Sequence, residues 1–213
     1  MRIISATIGP LAAANASIIA EAQTGAANTK LTLTASPYTL DFPRRVIITP
    51  GSGNNDSGVK FTIVGTDWNG YPVTEVLAGG NNVAVQSLYD YATIASITPN
   101  GSTGANMTVG TNGVASTRPI FLDEWAFGPT ALQINVSGTA NATVRQSLDD
   151  PNSGGYTSIN WVNHPDSNLV NLTGTVQGNY AYLPKVVQLL LNSGGTGTSS
   201  VTIRVSQSAS VPL

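Results

Sequence analysis

The chain has 213 residues, no cysteine, one histidine, and 9 Lys+Arg against 11 Asp+Glu, for a net charge of −2. Only 9% of residues are charged, against about 25% in an ordinary soluble domain. That leaves no basic surplus to neutralise phosphates, no thiols for a disulfide framework or a cysteine metal site, and few groups for acid–base chemistry. Thr, Ser and Asn together supply 64 residues and Gly a further 22, a polar and uncharged composition. Low net charge favours association, which suits a subunit packed at high local density.

Residues 1–22 begin like a leader, with Arg2 and an apolar stretch, but Pro10, Asn15 and Ser17 interrupt it. A secretory signal needs a continuous apolar run of about 7–15 residues, so cleavage is not expected. No run approaches the roughly 18 apolar residues that span a bilayer. Leu11, Ile18, Ile19 and Ala22 could share a helix face, but Ser17/Ile19/Glu21 against Ile18/Ala20/Ala22 also reads as a strand. Residues 1–29 are read as an extended N-terminal arm, held on its own domain or by a neighbouring subunit.

Short alternating runs follow. In Val59-Lys60-Phe61-Thr62-Ile63, Leu132-Gln133-Ile134-Asn135-Val136, Ala142-Thr143-Val144-Arg145 and Val201-Thr202-Ile203-Arg204-Val205, every second residue is apolar. Period two buries one face of a strand and wets the other. Val73–Leu77 is a looser example. Pro184–Leu191 is ambiguous by period, but its eight residues between Pro and Asn-Ser-Gly-Gly predict a buried strand.

The punctuation agrees. Asp67-Trp68-Asn69-Gly70 predicts a tight hairpin, and Asn100-Gly101 and Asn112-Gly113 read as turns. Gly51–Gly58 and Gly194–Gly197 read as loops. Many short strands between such turns predict an all-β fold. The expected organisation is two β-sandwich or jelly-roll-like domains, residues 30–113 and 114–213, behind the arm. One larger sandwich is the alternative.

Candidate chemistry is sparse. His164 stands in a loop-like Asn163-His164-Pro165-Asp166, and no Gly-x-Ser-x-Gly exists, so a hydrolase triad has no frame. The adjacent carboxylates Asp123-Glu124 point to opposite faces if on a strand. Asp149-Asp150-Pro151-Asn152 reads as a turn. The Asn54-Asn55-Asp56 loop and Asp149/Asp150 could take calcium, though neither matches an EF-hand. The glycine clusters lack the Lys-Ser/Thr of a phosphate loop. Arg44-Arg45 reads as a strand edge or a local ion pair. Seven Asn-x-Ser/Thr triplets occur, but a chain this rich in Asn, Ser and Thr produces several by chance, so they imply no glycosylation. Trp68 and Tyr71, with Tyr89 and Tyr91, could pack a core rim, anchor an interface or stack on sugars. No cofactor is expected.

Pro43–Thr49, then Asn55-Asp56-Ser57-Gly58 opening a strand that ends in Gly65-Thr66-Asp67, followed by Thr74-Glu75, Ser96-Ile97-Thr98 and Val109-Gly110-Thr111, resembles the first β-domain of a group of tailed-bacteriophage virion structural proteins. The second half is similar through Val136–Thr139, Asp149-Asp150-Pro151, Asn163-His164-Pro165 and Gly178–Tyr182. The resemblance spans nearly the whole chain and rests on turn-and-strand signatures, with no catalytic residue to carry over. It implies a non-enzymatic virion component, assembled in the bacterial host cytoplasm: a head decoration or cement protein, or else a neck or tail part. Its partners would be copies of itself and the major capsid or neck and tail proteins, with no nucleic acid and no membrane. Arg2, Ile3, Ile4, Leu11, Ile18, Ile19, Trp68 and Tyr71 are the expected interface residues. A carbohydrate-binding, receptor-attachment module is the competing reading from another class.

Overall fold

The computed structural model describes residues 2–123, 126, 129–150 and 156–207. The described residues form fourteen strands: β1 (Arg2–Ile8), β2 (Asn15–Gln23), β3 (Tyr38–Thr49), β4 (Lys60–Thr66), β5 (Pro72–Ala78), β6 (Val85–Pro99), β7 (Met107–Ser116), β8 (Ile120–Phe121), β9 (Thr130–Ser137), β10 (Ala140–Ser147), β11 (Val162–Asn163), β12 (Val176–Tyr180), β13 (Val186–Gly194) and β14 (Ser200–Gln207). Helical structure among them is confined to two single 3-10 turns, Tyr156–Ser158 and Ser167–Leu169. The protein is therefore all-β, as the periodicity predicts. Its antiparallel ladders form a four-stranded sheet, β1-β14-β9-β12, and a ten-stranded sheet, β11-β10-β13-β7-β3-β6-β4-β5, with β2 on β7 and β8 on β13.

The chain divides into two compact units, residues 13–112 and residues 1–12 with 113–213. The division falls inside β7, which runs through Asn112-Gly113 as strand rather than turn. Asn112 is tied into the sheet there: its carbonyl accepts Arg44 Nη2, and its Nδ2 donates to Gln86 Oε1 at 2.7 Å. The segment 1–29, read above as one arm, instead gives a strand to each unit. β1 pairs with β14 over seven residues in unbroken register, and β2 pairs with β7.

In the 13–112 unit, Ile19, Leu40, Val46, Ile48, Phe61, Ile63, Val73, Tyr91, Ile94, Ile97, Met107 and Val109 form one buried cluster. Phe61 and Ile63 come from the alternating run of β4. The β4–β5 hairpin turns where Asn69-Gly70 predicts it, with Gly70 at φ +84°. Pro43 lies within β3 but where the β3–β6 ladder skips from Thr39 to Arg44, so its missing N–H costs no bond of that ladder. Gly65 sits at a register shift in the β4–β6 ladder. A Cβ there would lie 2.0 Å from the Thr93 carbonyl oxygen.

In the other unit, Leu132 and Ile134 of β9 and Val201, Ile203 and Val205 of β14 are buried while their neighbours face outward. β10 and β13 depart from that pattern, for most of their residues are buried on both faces. The buried strand expected over Pro184–Leu191 is present as Val186–Gly194, starting two residues later and running on through Asn192-Ser193, and the alternation of Ala142–Arg145 does not leave a wet face because Trp161 and Gln188 cover Arg145.

Candidate functional site

The expected interface residues go to different places. Arg2 and Ile3 are exposed and Ile4 half-buried, all on β1. Ile3 is 60% exposed on the outer face of the four-stranded sheet. Register sets Ile3 beside Ser206, and Ser206 beside Ala131. These small side chains leave a groove of about 240 Å³ bounded by Ile3, Gln133, Gln177 and Arg204. The rest of that face is polar, with Thr7 Oγ1 and Thr202 Oγ1 2.8 Å apart across β1 and β14 and Gln133 Nε2 donating along β9 to Asn135 Oδ1 at 3.0 Å. Leu11 and Ile19 are core residues, and Ile18 is half-buried. Trp68 is only 8% exposed, whereas Tyr71 is 53% exposed. The structure brings Arg2, Ile3 and Ile4 together on one strand and leaves the other five elsewhere.

The acidic residues of the turn motifs bind their own backbone. Asp56 Oδ1 accepts the Gly104 amide at 2.8 Å. Asp67 Oδ1 accepts the amides of Asn69 and Tyr71 at 2.8 and 3.0 Å, closing the hairpin. The Glu75 carboxylate accepts the amides of Leu88 (2.6 Å) and Tyr89 (3.3 Å) on β6 and the Tyr91 hydroxyl. Burial first, then the Glu75 charge, pushes the Tyr91 phenol far above its usual value. Asp149 Oδ2 accepts the Asn160 amide at 2.7 Å, and Asp150 lies 4.0 Å from Lys185 Nζ. Glu124, Pro151 and Asn152 lie outside the described residues. Among those described, no three metal-binding side chains converge.

Of the two readings of the basic doublet, the ion pair holds and the strand edge in solvent does not, for both arginines are buried. Arg44 pairs with Asp41 at 3.1 Å, and Arg45 Nε donates to the fully buried Asp90 at 2.8 Å. Arg45 Nη1 also donates to the Ser87 carbonyl at 2.9 Å.

His164 is buried at 4% exposure, not looped into solvent. Its ring lies 4.6 Å from that of Tyr180, and its Nδ1 accepts the Asp166 amide at 3.0 Å. That bond puts the proton of the neutral ring on Nε2. Burial lowers the imidazole pKa, against the opposing pull of Asp166. Burial likewise raises the Tyr180 phenol well above its usual range.

One cluster went unseen in the sequence. The Arg145 guanidinium stacks 5.3 Å over Trp161 and donates through Nη2 to Gln188 Oε1 at 2.6 Å. Gln188 Nε2 in turn donates to the Thr117 carbonyl at 2.7 Å. The one signal was Gln188 itself, a polar residue inside the apolar run Val186–Leu191.

No protein-family model matches the chain, and no curated protein matches it. Among solved structures, BuGH86wt in complex with neoagarooctaose is similar at 10% identity, over 78% of this chain and 30% of that one, with TM-score 0.20. Infectious bursal disease virus Gx strain is similar at 11% identity, over 96% and 71%, with TM-score 0.17. The chain thus spans under a third of the first. At such TM-scores neither likeness bears on fold family or function.

Proposed function

We propose that this chain is a non-enzymatic structural subunit of a tailed-phage virion, a head decoration or cement protein built from two β-sandwich domains. The observation that carries the reading is the use of the motif side chains. Asp56, Asp67 and Glu75, the polar residues of the turn-and-strand signatures, hold backbone amides of their own chain. Their chemistry goes into shaping loops and strands, which is what a building block needs. The low charge of the sequence supports dense packing. A neck or tail position in the same particle fits the same residues, and copy number separates the two.

The experiment is quantitative mass spectrometry of purified particles from a phage encoding the chain, together with labelling of the protein in the intact virion. Hundreds of copies on the head support decoration, and six or twelve place it in the neck or tail. Absence from the particle overturns the reading. A glycan array with the wild type and Tyr71→Ala tests attachment to sugars, since Tyr71 is the exposed ring of the Trp68/Tyr71 pair.

A further inference from the structure

We propose that the free edge of β1 is a self-association site: two copies of this chain pair antiparallel through β1 about a two-fold axis at Ser5, joining two four-stranded sheets into one of eight strands. This deepens the reading of the chain as a self-associating building block and rests on it.

Among the described residues β1 is the terminal strand of its sheet, and its seven residues pair with β14 without a bulge. Alternate backbone groups along such a strand point away from the sheet and ask for a partner. Sheet edges are ordinarily protected by shortness, proline, inserted charge or bulges. The ends of the sheet paths at β11, β12 and β5 differ from β1, and β2, off the path, carries Glu21 and two register shifts. β11 has two residues, and β12 has five with Gly178 at its centre. β5 opens on Pro72 and carries Glu75. The sequence of β1, Arg-Ile-Ile-Ser-Ala-Thr-Ile, has no proline or glycine and a single charge at its end.

The strand is also complementary to itself. Paired about Ser5, Ile3 faces the copy's Thr7, Ile4 faces Ala6, and Arg2 faces Ile8. The one charge therefore meets no like charge. Ile3, Ser5 and Thr7, all exposed, share one face of β1, so that face would become the row Ile3–Thr7, Ser5–Ser5, Thr7–Ile3. Cross-strand aliphatic and β-branched neighbours of this kind are favourable. An isologous contact gives a closed dimer rather than a growing filament.

The absence of native cysteine makes the register directly testable. Directly opposed antiparallel residues have Cα atoms about 4.5–5.5 Å apart, inside disulfide range. Ser5→Cys should therefore form a disulfide-linked dimer under mild oxidation. Ile3→Cys should not, because its counterpart lies four residues along the strand, about 13 Å away. The double variant Ile3→Cys/Thr7→Cys should cross-link again. Ile3→Lys/Thr7→Lys opposes lysines at two places and should weaken dimerisation about tenfold by analytical ultracentrifugation. Ile3→Lys/Thr7→Glu pairs opposite charges and should restore it, with unchanged far-UV circular dichroism throughout.

Equal cross-linking of Ser5→Cys and Ile3→Cys, a monomer at all concentrations, or a ring assembled through β12 would each overturn the proposal. If the chain is found in virions but Ser5→Cys does not cross-link, the edge proposal fails and the virion reading stands. If Ser5→Cys dimerises but the chain is absent from virions, the reverse holds.

Discussion

The buried pair Arg45–Asp90 gives the sharpest test of how the 13–112 unit is held. Asp90 is 0% exposed and faces Arg45 directly across the β3–β6 ladder, with Nε and Oδ1 2.8 Å apart. Arg45 reaches on to the Ser87 carbonyl, and Ser87 Oγ accepts the Val46 amide at 2.9 Å. Asp90→Ala leaves a guanidinium in a desolvated site without its counter-charge. Removing one partner of a buried ion pair costs about 3–5 kcal/mol, a large share of the total for a unit of this size. Replacing both, as Arg45→Met/Asp90→Leu, removes the charge and its desolvation together, and should recover most of that loss. Urea unfolding reads the effect through Trp68, the tryptophan within residues 13–112, and the double-mutant cycle isolates the coupling. A loss under 1 kcal/mol in Asp90→Ala, or a double variant no more stable than the single, would refute the reasoning.

Other outcomes are equally specific. His164 has its pKa lowered by burial, so the unfolded state binds the proton more readily than the folded one. Its contribution to stability is therefore complete above the unfolded value, about pH 6.5, and is lost as pH falls through the lower folded value. Urea midpoints at pH 7.5 and 5 should show this slope in the wild type and not in His164→Gln. Gly65→Ala should cost about 1–3 kcal/mol by overpacking, since its Cβ would meet the Thr93 carbonyl; calorimetry of the variant checks it. Glu75→Ala should cost about 1.5–3 kcal/mol and speed hydrogen exchange at the Leu88 and Tyr89 amides, which the carboxylate now accepts.

Strand identity was legible because alternation in Phe61–Ile63, Leu132–Val136 and Val201–Val205 records which side chains leave water. The hairpin at Asn69-Gly70 was legible because few residues tolerate its positive φ. Asn112-Gly113 misled, since the same dipeptide also suits a strand in which Arg44 and Gln86 bind the asparagine's carbonyl and side chain. Which of the residues expected at an interface are exposed was not legible. Ile3 and Ile19 look alike in sequence, but one sits on a sheet's outer face and the other in a core. That distinction depends on β14 and β7, partners far along the chain. The same holds for Arg45 and Asp90, 45 residues apart: local pattern marks a charge but not the opposite charge that meets it.

The pairing of Arg2 with Gln207 and Ile8 with Val201 has a consequence for synthesis. Residues 13–112 can close their core while the ribosome is still adding the remainder. β1, by contrast, emerges before that unit and must wait for residues 200–207 to be made before β14 exists. During that interval it is a sticky ribbon without its mate, and on crowded polysomes neighbouring nascent chains could capture one another there first.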